Sequence, residues 1–450
     1  MTTPTEQHTD RHGGQPGGQH TGQQPGPPAG CPAHAGSPGA EGPAPVPLSG
    51  PLFQAEPTKL YREMRRDHGA VAPVVLPGGV PAWLILGYRE LHQVTSDPAL
   101  FSRDSDLWNQ WDDIPADWPM LPMIGRKQPS ILYTVGERHR ERATVISDAL
   151  EAVDPFALKR TAERYADELI DGFCTDGGTD IIARYATQLP VRVLAKIYGF
   201  TDDQGPGLAT DLKDMIDGRE RALAAQRHLT GSVKALLAER RAEPAEDVAS
   251  RMVGNTSGFT EQEIAEDLRV MLTAGHQPTA DWIGNTMRLM LTDDRFAASL
   301  SGGRHSVAEA MNEVLWEDTP TQNVAGRWAA RDTRLGNRQI RAGDLLLLGL
   351  AAANYDPQVR TDGSSLTGGN NAFFSFGHGE HRCPFPAQEI AEVIARTAIE
   401  VLLDRLPDID LAVPAESLTR RPSPWLRGLS ELPVVFTPTP AVGPSSGGSR

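Results

Sequence analysis

A short segment near the carboxyl end of the chain concentrates residue types that could do metal chemistry. Residues 374–384 read Phe-Ser-Phe-Gly-His-Gly-Glu-His-Arg-Cys-Pro and precede a long amphipathic helical pattern. Gly377 and Gly379 permit a turn that brings backbone N–H groups close to the thiol of Cys383. Those donors, with the start of the following helix, favour the thiolate, which ligates soft or borderline metals. One Cys at this place suits an axial iron ligand, because haem supplies the four equatorial bonds itself.

Two other interpretations of Cys383 stay open on the residues alone. Most lone cysteines of cytosolic proteins are small, buried and inert. His378, His381 and Cys383 could also act as three zinc ligands. A structural zinc site needs four ligands, usually with a CxxC or HxxxH pair, and no fourth ligand is near in the sequence. Zinc is therefore the poorer interpretation.

The segment resembles the haem-binding loop of the cytochrome P-450 superfamily, whose pattern is F-G-x-G-x-H-x-C-x-G. Every position matches except the last, where Phe385 stands in place of Gly. The resemblance implies haem b (iron protoporphyrin IX) as the cofactor and Cys383 as the metal ligand. Other residues that it places against the cofactor are Phe376, Gly377, His381 and, on a helix discussed below, Gly275.

Composition limits the class of protein. The 450 residues can form one large domain or two ordinary ones. Three cysteines, far apart and odd in number, argue against a disulfide framework and for a reducing compartment. No apolar run approaches the roughly 20 residues of a membrane span, and the N-terminus lacks a signal-peptide pattern. A net charge of −15 argues against nucleic-acid binding. We therefore expect a cytoplasmic protein without membrane or nucleic-acid partners.

Low-complexity composition marks both ends of the chain. Residues 1–48 are rich in Gly, Pro and Gln and have almost no aliphatic residue beyond Ala. Such a segment buries too little apolar surface to offset its ordering entropy, so we expect a disordered tail. Residues 439–450 have a similar composition and predict a flexible tail. Residues 49–438 then form one folded domain without an internal linker or repeat.

Helical patterns dominate the domain after residue 90. The clearest begins with a capping box, Thr260 and Glu263, and continues to about Leu291. At about 1.5 Å per residue this helix spans roughly 45 Å. Apolar spacing predicts a second helix over Ser306–Glu317 and a third directly after the cysteine segment.

Strand patterns are fewer. Val71–Leu76 and Ala82–Leu86 predict a hairpin, and Gln339–Ile340 with Leu345–Gly349 predict another around Gly343-Asp344. Many helices with a small, separate sheet give a mostly α (α+β) fold. The resemblance implies the same: the cytochrome P-450 fold, a helix-rich domain with a small β-sheet region.

The middle of the long helix reads Ala274-Gly275-His276-Gln277-Pro278-Thr279. Gly275 and Pro278 weaken a helix, which predicts either a packing kink or an opening for a ligand. In the resembled family this segment lies over the haem, reads A-G-x-[D/E]-T-T, and its acid and alcohol organise proton-donating water. Gln277 replaces the acid and Pro278 the alcohol. Because Gln cannot deliver a proton by ionising, we expect Gln277 to orient water that Thr279, His276 or a substrate hydroxyl holds.

The family's Glu-x-x-Arg motif is altered. Glu313 is present, but Trp316 stands at the Arg position. The family's second Arg partner falls on Gly368 here. Glu313 must therefore find other donors or be protonated, and the indole N–H of Trp316 is one candidate donor. Similar losses occur in a subset of soluble actinobacterial members, which the chain resembles.

The two carboxylates of haem call for Arg and His donors. Arg327 and His381 match the family's propionate residues. A third site is usually His-x-x-x-Arg, but Ala143 stands four residues after His139. His139 and Arg142 still share a helical face, so both are candidates for the cofactor. The charged run 137–143 is alternatively a solvated face, or a docking patch for an acidic ferredoxin.

These observations predict a haem-thiolate monooxygenase that takes electrons from a ferredoxin and its ferredoxin reductase and oxidises a small-molecule, secondary-metabolite-like substrate. The first alternative is an enzyme that couples aromatic or indolic rings without inserting oxygen. The second is a non-catalytic haem-binding partner, suggested by the missing Arg pair. Thr321–Val324 and Pro424–Leu426 fall where the family lines its substrate cavity. A loop at 104–124, rich in Trp and Met, is either a flexible pocket roof or a packed part of the core.

Overall fold

Helices make up about 55% of the described residues, and several of them pack around one long helix. The computed structural model describes residues 44–116, 118, 120–124, 128–217, 221–255, 258–293, 296, 305–360 and 370–443. In chain order its helices are α1 (Pro51–Ala55), α2 (Pro57–His68), α3 (Tyr88–Ser96), α4 (Leu121–Ile124), α5 (Gly136–Glu151), α6 (Pro155–Asp171), α7 (Gln188–Tyr198), α8 (Gly205–Asp217), α9 (Ala222–Ala242), α10 (Val248–Gly254), α11 (Glu261–Thr292), α12 (His305–Glu317), α13 (Leu350–Asn354) and α14 (Ala387–Arg405).

The strands of the described residues form three small sheets. A six-stranded sheet has the order β1-β2-β3-β9-β6-β4, a three-stranded sheet the order β10-β11-β5, and β7 pairs with β8. The strands are β1 (Val46–Pro47), β2 (Val71–Leu76), β3 (Val80–Ile85), β4 (Phe101–Ser102), β5 (Gly178–Asp180), β6 (Val324–Ala329), β7 (Thr333–Leu335), β8 (Arg338–Ile340), β9 (Leu345–Leu348), β10 (Asp410–Leu411) and β11 (Pro433–Val435).

Both faces of the six-stranded sheet are covered. Successive side chains of a strand point to opposite faces, and Leu345 and Leu347 of β9 lie in one apolar cluster while Leu346 and Leu348 lie in another. A third and larger cluster joins α5–α12 and α14. The mostly α (α+β) class is therefore confirmed.

One of the two predicted hairpins is confirmed. β2 and β3 pair antiparallel from Val71↔Ile85 to Leu76↔Val80. The second prediction is wrong, because β8 pairs with β7, whereas β9 pairs with β3 and β6. Gly343-Asp344 therefore connects two sheets instead of closing a hairpin.

Each predicted tail includes some residues that pair with the folded domain. Residues 1–43 and 444–450 lie outside the described residues. Val46 and Pro47, within the predicted N-terminal tail, pair in parallel with β2. Thr439 donates to the carbonyl of Cys174 at 2.9 Å, within the predicted C-terminal tail. No helix among the described residues is long and apolar enough to cross a membrane.

The long helix α11 begins as its sequence predicts. The hydroxyl of its N-cap, Thr260, accepts from the Glu263 N–H at 3.2 Å, and Glu263 Oε2 accepts from the Thr260 N–H at 2.9 Å. The helix continues through Pro278 to Thr292 without a break. Pro278 has no N–H, so it removes one bond of the ladder and leaves the Ala274 carbonyl without its i+4 donor.

The segment 373–384, here called the cysteine loop, is tied to two helices. Ser375 Oγ donates to the carbonyl of Leu315 on α12 at 2.6 Å. Asn354, the last residue of α13, donates to the same carbonyl at 2.9 Å and accepts from the N–H of Phe374 at 2.8 Å. Aromatic rings continue the contact, since Trp316 meets Phe373 at 5.7 Å between centroids. The position of α12 therefore controls the position of the loop.

The altered Glu-x-x-Arg motif has a substitute cation that the sequence did not reveal. Arg360 Nη2 donates to Glu313 Oε1 at 2.7 Å and to Glu317 Oε1 at 3.1 Å. Its guanidinium also lies 5.8 Å from the ring of Trp316. The predicted bond from the Trp316 indole to Glu313 is wrong, because that N–H donates to the carbonyl of Asn370 at 3.0 Å. Gly368 lies outside the described residues.

Replacing Arg360 by Ala should destabilise the protein. Glu313 is 4% exposed, so the substitution leaves a buried carboxylate without its cation. We expect a loss of roughly 2 kcal/mol in the free energy of unfolding, below the usual cost for a fully buried pair because the Arg360 side chain is 19% exposed. Urea unfolding followed by circular dichroism measures the loss.

Two further variants test the cause. In a Glu313→Gln background the same Arg360→Ala change should cost less than half as much, since no charge is stranded. Arg396→Ala breaks a partly exposed pair with Glu392 on α14 and should cost under about 0.5 kcal/mol. Equal losses for Arg360→Ala and Arg396→Ala would contradict the buried network.

Candidate functional site

The cysteine loop has the backbone that its glycines predict. Gly377 has φ +74° and Gly379 has φ +75°. A Cβ at Gly379 would lie 2.1 Å from the backbone oxygen of Thr95, so no other residue fits there without a shift of the chain. The N–H of Cys383 donates to the carbonyl of Phe376 at 2.8 Å, which closes the loop. Phe385 is 52% exposed, so the side chain at the family's Gly position points to the surface and leaves the loop uncrowded.

The expected lowering of the Cys383 pKa is absent in the chain by itself. Burial raises the pKa of this thiol to about 12, and the negative charge of Glu389 adds to the rise. Desolvation of the thiolate therefore outweighs the loop donors and the start of α14. The loop fixes the position of the Cys383 thiol. A bound metal ion would supply the positive charge that favours its deprotonation.

Four donor residues from separate elements meet beside the loop, and we call them the donor cluster. Arg327 on β6, His381 of the loop and His139 on α5 were predicted, whereas Arg103, directly after β4, was not. The rings of His139 and His381 lie 3.9 Å apart. Burial, followed by the neighbouring cations, lowers the pKa of Arg327 and of His381 far below their ordinary values.

Arg103 reaches the cluster past a glycine. Its Nη1 donates to the carbonyls of Ala325 and Gly326 at 2.6 and 3.2 Å. Gly326 has φ +88°, and a Cβ there would lie 3.1 Å from the Arg103 Nη1. No motif marks Arg103, so only the fold reveals it.

Buried donors of the cluster lack partners among the described residues. Nε and Nη1 of Arg327 and Nε2 of His381 are buried and make no hydrogen bond there. Glu380 is the carboxylate that faces Arg327, and one of its oxygens is also unpartnered. Buried polar groups are nearly always satisfied, so a ligand with two anionic groups fits this cluster. The two propionates of haem match that requirement, and Cys383 belongs to the same loop as His381.

A metal ion alone fits the cluster poorly. One ligand atom from each of His139, Glu380 and His381 lies within 4.8 Å of the others, close enough to hold an ion. The guanidinium groups of Arg103 and Arg327 beside them repel a cation, and they have no function in such a site. The donor set therefore favours an anionic group.

The assignment of Arg142 to the cofactor is corrected. Arg142 is 1% exposed, and its Nε and Nη2 bond Asp267 at 2.7 and 2.6 Å. Nη2 also donates to the carbonyls of Glu263 and Pro129. Its guanidinium ties α5 to α11 and is not free for a propionate.

The middle of α11 opens on one side. Ala274 is exposed and Gly275 and Pro278 are half-buried, although most of their neighbours on the helix are buried. About one turn further along the same side of the helix, Trp282 is buried, and its ring meets that of Phe376 in the cysteine loop at 5.8 Å. The opening beside α11 therefore faces the same region as the cysteine loop, which is where a haem would lie.

The three predicted catalytic residues occupy different sides of α11. Gln277 flanks the open strip and donates from Nε2 to Asp281 at 2.8 Å. The hydroxyl of Thr279 donates to the carbonyl of Gly275 at 2.7 Å. His276 is fully buried on the side of Thr187, whose carbonyl lies 2.8 Å from its Nε2, and burial lowers its pKa to about 4. Gln277 is therefore better placed than His276 to orient water in the opening.

The predicted substrate segments differ in their surroundings. Thr321 and Leu426 form an antiparallel bridge, so segments 321–324 and 424–426 lie side by side, and their place in a substrate cavity stays a prediction. Two tryptophans of the segment 104–124 pack into the core, since Trp108 and Trp118 are 3% and 5% exposed. Trp108 contacts Trp328 of β6 at 6.2 Å between ring centroids. The packed alternative therefore describes this loop better than a flexible roof.

Known proteins with similar sequences are bacterial cytochrome P450s. No family model matches the chain. The chain is 28% identical over 404 residues to the Vitamin D(3) 25-hydroxylase of Pseudonocardia autotrophica, which covers 88% of this chain and 97% of that protein. It is 29% identical over 394 residues to the mycinamicin IV hydroxylase/epoxidase of Micromonospora griseorubida. That alignment covers 84% of this chain and 94% of the other protein.

Solved structures give the same result. CYP154C4 from Streptomyces sp. W2061 superposes with a TM-score of 0.77 at 25% identity, covering 87% of this chain and 97% of that one. The similarity therefore extends over nearly the whole described chain. Together with the cysteine loop and the donor cluster, it supports the cytochrome P-450 superfamily, whose members bind haem b.

Proposed function

We propose that this protein is a ferredoxin-dependent haem-thiolate monooxygenase that oxidises a small organic substrate of secondary metabolism. The observation that carries the proposal is the cysteine loop, which holds one thiol beside a donor cluster whose buried Arg327 and His381 have nitrogens without partners among the described residues. Support comes from similar proteins named as hydroxylases, among them the mycinamicin IV hydroxylase/epoxidase. Bound haem would supply one-electron and dioxygen chemistry, which thiolate ligation directs towards O–O cleavage.

The residues of the chain divide the work. Cys383 would ligate the iron, whose positive charge brings the thiol into its thiolate form. Arg327, His381, His139 and Arg103 would bind the propionates, while Phe376, Gly377 and Gly275 shape the space around the ring. Gln277 would orient water beside the open strip of α11, and a relay through Thr279 stays a prediction.

Electron delivery belongs to the proposal as well. Within the charged run 137–143, Arg138 and Arg142 bond carboxylates of α11, whereas the Arg140 side chain is 63% exposed. Arg140 lies 4.0 Å from Glu380 of the cysteine loop, and Arg382 of that loop is exposed too. These cations are suited to dock an acidic ferredoxin close to Cys383.

Oxidative coupling without oxygen insertion is the second candidate. It is favoured by Gln277 and Pro278, which stand where the family carries an acid and an alcohol for proton delivery. Product analysis under oxygen-18 dioxygen separates the two, because only insertion places the label in the product. The third candidate, a non-catalytic haem-binding partner, was suggested by the missing Arg pair. Arg360 supplies a cation to Glu313, so that argument no longer favours it.

The reduced protein should give the red-shifted carbon monoxide difference band of thiolate-ligated haem. Cys383→Ala should abolish this band, since a methyl group cannot ligate iron. Cys174→Ala is the matched control. Cys174 follows α6 and is fully buried, so this substitution should leave the band unchanged. A colourless wild-type protein, or a band that survives in Cys383→Ala, would refute the proposal.

Arg327→Gln should change the two forms of the protein in opposite directions. Without haem, the substitution removes a buried cation with unpartnered N–H groups, so the haem-free protein should gain roughly 1–2 kcal/mol in the free energy of unfolding. With haem, the loss of a propionate donor should speed haem transfer to apomyoglobin by roughly tenfold. Urea unfolding and absorbance measure the two effects.

The exposed Arg334 of β7 provides the control for this prediction. Arg334→Gln should change neither quantity. If Arg327→Gln destabilises the haem-free protein and leaves haem transfer unchanged, Arg327 is a structural residue and no propionate donor.

A further inference from the structure

A buried carboxylate lies one helical turn beyond Gln277 and is matched by no motif of the sequence. Asp281 is 3% exposed and accepts from the Gln277 amide at 2.8 Å through Oδ1. Residues three apart on a helix are neighbours on its surface. Gln277 therefore adjoins Ala274, and Asp281 adjoins Pro278, which are the residues of the open strip. The pair lies along the edge of the opening.

On its other side Asp281 is linked to a residue that reaches solvent. Nη2 of Arg421 lies 2.7 Å from both carboxylate oxygens, and the Arg421 side chain is 22% exposed. Gly428 covers the carboxylate closely, since a Cβ there would lie 2.1 Å from Oδ1. Asp281 thus stands between an arginine at the surface and an amide at the opening.

The segment that carries Arg421 is held firmly against α11. Arg420 and Arg427 both donate to the carboxylate of Asp318, which directly follows α12. Arg420 also donates to Asn285 of α11 at 2.6 Å. Such a held segment keeps Arg421 in register with Asp281.

The charges around Asp281 suit proton exchange near neutral pH. Burial raises the pKa of Asp281 to about 6, while Arg421, the Gln277 amide and Arg420 oppose the rise. Arg420 and Arg421, both from the segment packed on α11, are the charged groups that face it. An acid with such a pKa gives up and regains its proton readily under physiological conditions.

We propose that Asp281, positioned by Gln277 and Arg421, is the proton-relay residue of the opening beside α11, in place of the acid that position 277 lacks. The inference rests on the proposed monooxygenase function. Because Nε2 of Gln277 donates to Asp281, its amide oxygen can accept a hydrogen bond from water. The O–H bond of the Asp281 carboxyl breaks as its proton passes to that water, and the carboxylate then takes a proton from solvent beside Arg421. One proton moves inward in each cycle, and the relay itself oxidises and reduces nothing.

The first test uses the haem-loaded protein with a plant-type ferredoxin, its reductase, NADPH and dioxygen, without added substrate. Asp281→Asn should slow NADPH oxidation roughly 10–100-fold and abolish its rise as the pH falls from about 8 to about 5.5. Asp267→Asn is the matched control, since it breaks another buried Asp–Arg pair of α11 about four turns away. Its rate should stay within about twofold of the wild type. Equal rates and pH profiles for Asp281→Asn and the wild type would overturn the relay.

The second test needs no turnover. A raised pKa means that the folded protein favours the protonated carboxyl, so this stabilisation is complete below the ordinary Asp pKa and is lost as the pH rises through about 6. The difference in Tm between the wild type and Asp281→Asn should therefore fall between about pH 4 and pH 7. Arg421→Gln removes an opposing cation and should move this inflection to higher pH. A difference that does not vary with pH, or an inflection that Arg421→Gln leaves in place, would overturn the assignment.

The two failures are distinguishable. A wild-type protein without the thiolate carbon monoxide band refutes the proposed function, and the relay with it. A protein that has the band, but whose turnover is unchanged by Asp281→Asn, refutes the relay alone.

Discussion

Buried donors without hydrogen-bond partners among the described residues are the constraint on which the rest of the site depends. Removing a guanidinium from water costs several kcal/mol unless a partner replaces the lost hydration. Arg327 is 3% exposed and keeps two N–H-bearing nitrogens without partners among the described residues. The donor cluster draws on β6, α5, the cysteine loop and the residue after β4, so satisfying it fixes four distant parts of the chain together. A dianionic cofactor is in this sense part of the core, and its binding adds to the stability of the fold.

The cysteine loop shows what the chain contributes and what the ligand must bring. Burial raises the pKa of Cys383 to about 12, so the protein alone does not prepare a thiolate. What it prepares is position: the bonds of Ser375 and Asn354 to α12 and α13, and the glycine turn against Thr95, hold the sulfur in one place. These contacts set the geometry of the loop, and a bound iron would supply the positive charge that favours the thiolate.

Local patterns predicted the parts of the fold that local forces determine. The capping box of α11, the β2–β3 hairpin and the left-handed glycines of the cysteine loop depend on residues a few positions apart. The second hairpin prediction was wrong because β9 lies between β3 and β6, which are distant in sequence, while its sequence neighbour β8 pairs with β7. The assignment of Arg142 to the cofactor was wrong for a similar reason, since its partner Asp267 lies on another helix. Arg103, Arg360 and Asp281 could not be recognised at all, because their importance arises from contacts across the fold.

Departures from a motif need not remove the charge that the motif provides. Trp316 replaces an arginine, yet Glu313 still meets a guanidinium, because an unpaired carboxylate at 4% exposure would be costly. Gln277 replaces an acid, yet a carboxylate lies four residues on. Four residues along a helix correspond to about 6 Å, and the side chains of Gln277 and Asp281 bridge that rise with one hydrogen bond of 2.8 Å. In both places the requirement is a charged side chain at one point in space. A residue from a neighbouring turn or segment can meet it as well as the residue at the motif position. The loss of a motif residue therefore does not by itself show a lost function, because a contact from elsewhere in the fold can supply the same charge.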